Sequence, residues 1–198
     1  MTVVVPESMH EVTVGTYMQL VKAMRNQELT DVQRQKKAVQ ILCGLTAAQQ
    51  KRMPVKYRDE IVATIDRMLE RTYRLQRTFE HDGTTYGLHP ILDEMSLGEF
   101  VDARAYAGDP EKVHRFLAVM YRPISATKKE RYQIEPYGGS DKYKEVMRQQ
   151  PASLYLGLEA FFLHLANVLM TSTLSSTKRA QTPQIEKGAF PKSGDTME

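Results

Sequence analysis

The sequence predicts a mainly α fold: two tandem related helical units, a small β-hairpin between them and a disordered C-terminal tail. Three observations carry this. A capped helix-start pattern occurs twice, apolar residues recur at helical spacing through most of the chain, and one Asp-Gly turn interrupts them. The predicted boundaries are residues 1–77 for the first unit, 78–90 for the hairpin, 91–174 for the second unit and 175–198 for the tail.

The repeated pattern is Glu11–Val12–Thr13–Val14–Gly15–Thr16–Tyr17–Met18 and Glu94–Met95–Ser96–Leu97–Gly98–Glu99–Phe100–Val101. Thr13 and Ser96 are N-cap residues, whose hydroxyls accept an otherwise unpaired first-turn amide proton. Glu99, three residues after Ser96, completes a capping box. The offset between the copies is 83 residues. A second pair, Ile41–Thr46 and Met120–Ser125, is offset by 79, so a duplicated helical unit is expected.

After Val3–Val4–Val5–Pro6, the first helix carries Tyr17, Leu20, Val21 and Met24 on one face. Thr30–Asp31 starts a second helix with Val32, Ala38, Val39, Ile41 and Leu42, and Gly44 stops it. Thr46 caps a short piece that ends at Met53–Pro54. A long helix is expected from Tyr57 to about Arg77, with Ile61, Ile65, Met68, Leu69 and Tyr73 aligned. Asp82–Gly83, between short aromatic and β-branched segments, predicts a two-stranded ribbon that must pack on a helix.

The last helix, Ala152 to about Thr171, has almost no polar face. Such a helix is central to a core, covered by a partner or membrane-spanning. Glu159, His164 and Asn167 interrupt it, which places membrane last. After Leu174 too few apolar residues remain to offset chain entropy.

The chain has 198 residues, 41% hydrophobic and 26% charged, with net charge +3. It can bury a real core, and its charges alternate as on solvated helix faces. One cysteine, Cys43, excludes an intrachain disulfide. It lies in an apolar run and reads as a buried thiol. No basic segment followed by an apolar stretch opens the chain, so a secretory signal is not expected and the cytoplasm is the default.

No reactive constellation is found. His10, His81, His89, His114 and His164 show no metal-ligand spacing, and no phosphate-binding or nucleophile motif occurs. His81–Asp82 reads as turn chemistry, and Gly138–Gly139–Ser140–Asp141 as a loop ending in a helix cap. No enzyme activity, cofactor or metal is expected. Arg122, Lys128, Lys129 and Arg131 with Tyr132 form a basic segment, diluted by Glu130, Glu135 and Asp141. A solvated loop suits it better than a nucleic-acid site. Tyr132, Tyr137, Phe161 and Phe162 are the candidate partner-contact residues, because aromatic side chains give rigid contact area.

Several phrases resemble small helical proteins of tailed bacteriophages. They are Pro6–Glu7–Ser8 with Thr13–Val14–Gly15–Thr16–Tyr17, Ile41–Thr46 with Met53–Pro54, Tyr86–Gly87 with Pro90 and Met95–Phe100, and Val119–Ile124 with Tyr132 and Ile134–Tyr137. Proteins of this kind are grouped with tail assembly chaperones or as small structural proteins. The resemblance implies a non-enzymatic role in virion morphogenesis, in the host cytoplasm or in the particle. The implied partner is a phage structural protein such as the tape measure, with a homo-oligomeric structural component as the alternative.

Overall fold

The computed structural model describes residues 3–129 and 131–180. Among them are eight α-helices and one four-stranded antiparallel sheet, so the protein is mixed α/β rather than mainly α. The chain divides into two compact units, Met1–Phe161 and Phe162–Glu198.

The first helices follow the capping signals. α1 (Val14–Arg25) begins at Thr13, whose hydroxyl accepts the Thr16 amide. α2 (Asp31–Cys43) starts with a capping box of Thr30 and Gln33 and ends at Gly44, left-handed at φ 64°. α3 (Ala47–Arg52) has a second such box, Thr46 with Gln49. α4 (Val55–Leu69) buries Ile61, Ile65 and Met68.

α4 stops eight residues short of the expected Arg77. In the following segment Tyr73 and Leu75 are half-buried and Arg74 and Gln76 exposed, the alternation of extended chain rather than helix. Tertiary pairing favours this extended form: Leu88 N donates to Arg77 O, and the Tyr121 hydroxyl donates to Gln76 O at 2.6 Å.

β1 (Thr78–His81) and β2 (Thr84–Leu88) form the expected hairpin. Asp82 and Gly83 both have positive φ, 47° and 73°, as a tight two-residue turn requires. The ribbon does not end there. α5 (Leu97–Tyr106) and α6 (Val113–Met120) follow, and the chain then returns as β3 (Tyr121–Lys128) beside β2 and β4 (Arg131–Ile134) beside β3.

The structure is therefore not plainly two tandem units. Leu42–Cys43 is the end of a helix, whereas its expected counterpart Tyr121–Arg122 starts a strand. The expected solvated loop at Arg122–Tyr132 is the β3–β4 hairpin, and Arg122 is buried. Two features hide β3 in the sequence: it leaves α6 with no loop, and Pro123 sits opposite Tyr86 in a central strand, where proline is rarely found.

The halves are also interwoven. Val14 N donates to Gln150 O and Ala152 N to Val12 O, joining the start of α1 to the start of α8 (Ala152–Ala180). Met9, Val12, Leu20, Ala38, Met68 and Ala152 share one core cluster. α6 is the most deeply buried helix, with Val113 and Phe116 to Met120 all withdrawn from solvent. Ser140 does not cap α7 (Lys144–Gln149). Its hydroxyl instead accepts from Arg115 and donates to Tyr106. α8 runs on through Ala180, past the predicted start of the tail, and the rest of that tail, 181–198, lies outside the described residues.

Candidate interaction surfaces

α5 is turned inside out. Its 3.6-residue repeat puts Leu97, Phe100, Val101 and Arg104 on one face. That face points to solvent: Leu97 is 79% exposed and Phe100 and Val101 are each 53% exposed. The opposite face is polar and points inward, with Glu99 only 4% exposed.

Glu99 occupies the first turn through its capping box: Ser96 N donates to its Oε2 at 2.6 Å. Its other oxygen takes an ion pair from Arg122 Nη2 and lies 3.6 Å from His89 Nε2. Arg122 also lies over the Tyr137 ring at 5.3 Å, and the Tyr137 hydroxyl donates to Asp102 at 2.5 Å. One turn on, Tyr106 meets Ser140. Polar contacts from three successive turns therefore hold α5 to Arg122 of the sheet, to Tyr137 and to the 3-10 turn at Ser140–Lys142.

The electrostatics of this cluster follow from burial and pairing. Burial drives the Glu99 carboxyl upward, but the hydrogen bonds from Ser96 and the Arg122 pair outweigh it, and its pKa falls below the ordinary value. Burial, with the Arg122 charge added, pushes the His89 imidazole below its usual range against the pull of Glu99. Arg122 Nε and Nη1 and His89 Nδ1 are buried with no hydrogen-bond partner among the described residues.

A second surface lies at the α3–α4 corner. A groove of about 790 Å³ runs beside Val3, Val5, Met53, Pro54, Tyr57 and Ile61. Met53 also lines a smaller groove of about 310 Å³ facing α2. Pro54 ends α3 and starts α4, so the chain bends there and leaves apolar side chains without a covering layer.

α8 supplies a third. Ala152, Leu154, Tyr155 and Leu158 are buried, and Tyr155 donates to Glu159 at 2.9 Å. Between Leu163 and Met170 the apolar residues are exposed, Met170 at 65%. Ala152–Met170 is long and apolar enough to cross a membrane by length and composition.

The four residues expected to contact a partner are placed differently. Tyr132 donates to Leu88 O at 2.8 Å, and its ring fills the space a side chain at Gly87 would need. Tyr137 serves Asp102 and Arg122. Phe161 and Phe162 are half-buried on α8. Two of the four therefore brace the sheet. The exposed apolar residues Leu97, Phe100 and Val101 are not among those four. Their spacing was visible, but the same spacing describes a core-facing stripe. Among the described residues no group of three His, Cys, Asp or Glu side chains could hold a metal ion. The Cys43 thiol is half-buried and raised in pKa by that burial. Comparison of the chain with family models, curated proteins and solved structures gives no match.

Proposed function

We propose that this chain is a non-enzymatic morphogenesis protein of a tailed bacteriophage, an assembly chaperone that receives an apolar helical segment of a tail protein such as the tape measure. The phage setting rests on the sequence resemblance. The observation that carries the binding role is the open apolar groove at the α3–α4 corner. Its size suits side chains presented at i, i+3/i+4 and i+7 by an amphipathic helix. Met53 gives its wall an adaptable surface, and Tyr57 gives a rigid one. The site of action is the host cytoplasm during assembly.

A structural component of the virion, built as a homo-oligomer, is the second reading, favoured by the exposed apolar residues of α8 between Leu163 and Met170. A protein partner suits that segment better than a bilayer. Ala152 to Leu158 is already committed to the core, and Leu163–Met170 alone is far shorter than the ~20 residues a span needs.

Co-expression with the tape measure protein of the same phage tests the chaperone reading. The client stays soluble with the wild-type chain and aggregates with a Tyr57→Asp variant. Mass spectrometry then finds the chain in infected-cell lysate and not in purified particles. A fixed copy number in particles would overturn this reading in favour of the structural one.

A further inference from the structure

We infer that α5 is a self-association surface, on which a second copy of this chain packs antiparallel about a two-fold axis. The first ground is the polarity of the helix. An isolated surface helix turns its apolar stripe to the core. α5 instead buries Glu99 against Arg122 and His89 and gives Leu97, Phe100 and Val101 to solvent. The polar anchoring fixes which face looks outward, so the apolar stripe is presented on a rigid element.

The second ground is charge, and it selects the occupant. Arg104 continues the stripe at its C-terminal end, one turn beyond Val101. Asp93 and Glu94 are exposed in the turn just before its N-terminal end. Along the chain the segment thus runs from exposed acids through the apolar stripe to an exposed base. Reversed, it is its own complement. An antiparallel second copy brings each Arg104 toward the Asp93–Glu94 turn of the other and closes Leu97, Phe100 and Val101 into one dry centre. A parallel pair would set like charges together. Self-complementarity of one patch is what an isologous two-fold interface requires. This surface shares no residue with the α3–α4 groove, so it stands whether or not the chaperone reading does.

Sedimentation equilibrium of the full chain tests it. Wild type forms a dimer. Phe100→Asp weakens that dimer at least about tenfold, as expected for a charge placed in a desolvated interface centre. Leu97→Asp does the same and serves if the first variant fails to fold, with far-ultraviolet circular dichroism as the control. Arg104→Glu alone also weakens it, and adding Asp93→Lys and Glu94→Lys restores it. A monomer at all concentrations overturns the inference. So does a dimer indifferent to Phe100→Asp and Leu97→Asp, or a charge reversal that the compensating pair does not rescue.

Discussion

Glu99 and Arg122 form a buried ion pair between the first turn of α5 and the β3 strand, with side-chain exposures of 6% and 4%. The same carboxylate caps its own helix through Ser96. One residue therefore both starts α5 and fixes its rotation, which is why the apolar stripe faces outward.

Breaking this pair from one side strands a charge in a dry site. Arg122→Met leaves Glu99 beside His89 without its cation and is expected to cost about 3–5 kcal/mol in urea denaturation. The double variant Glu99→Leu with Arg122→Met removes both charges and should cost clearly less than the sum of the singles. Additive losses would contradict a direct pair.

The cluster also gives stability a pH dependence. His89 and Glu99 both have folded-state pKa values below their unfolded ones. In each case the unfolded chain binds protons first as pH falls, so the stabilising contribution is complete above the unfolded value and is lost on acidification. The His89 part fades as pH drops below about 6.5, the Glu99 part below about 4.3. His114, lowered by burial and by Arg148, adds with the same sign. The urea midpoint should fall between pH 7.5 and 5.5, and His89→Gln should flatten that slope. An unchanged slope in the variant would remove His89 from the account.

Much of the local structure is legible in the sequence because capping and turn chemistry are local. Thr13, Thr30, Thr46 and Ser96 all cap the helices expected of them, and Asp82–Gly83 turns the expected hairpin. What is not legible depends on contacts distant in sequence. β3 follows α6 without punctuation and contains Pro123, so only pairing with Gly87 and Tyr86 reveals it as a strand. Tyr73 continues the α4 stripe by spacing, yet its hydroxyl meets Met9 N at 3.0 Å outside the helix. The outward rotation of α5 likewise rests on Arg122, 23 positions beyond Glu99 in a strand that the local signals do not announce.

Gly157 marks a close approach of α8 to the segment after α4. A Cβ there would run into the Arg74 carbonyl, backbone that cannot swing aside. In an open helix Gly→Ala gains about 1 kcal/mol. Here the overpacking term of about 1–3 kcal/mol opposes it, so Gly157→Ala should be net destabilising. A raised melting temperature would show that the segment moves away freely.

Tyr57 and Ile61 lie one turn apart on α4 and both line the large groove, but they differ in what lies behind them. Tyr57 is 58% exposed, so its ring is groove wall and little else. Ile61 is buried among Val39, Leu45 and Ile65 as well as bordering the groove. Tyr57→Ala should therefore change unfolding free energy by no more than about 0.5 kcal/mol while weakening the binding of an amphipathic client helix. Ile61→Ala should cost about 2–5 kcal/mol, because it removes packed volume that its neighbours only partly refill. Urea midpoints with client-peptide titrations on both variants separate the two roles. Equal stability losses would mean that Tyr57 belongs to the core. Unchanged client binding in Tyr57→Ala would mean that the groove is not where the helix sits.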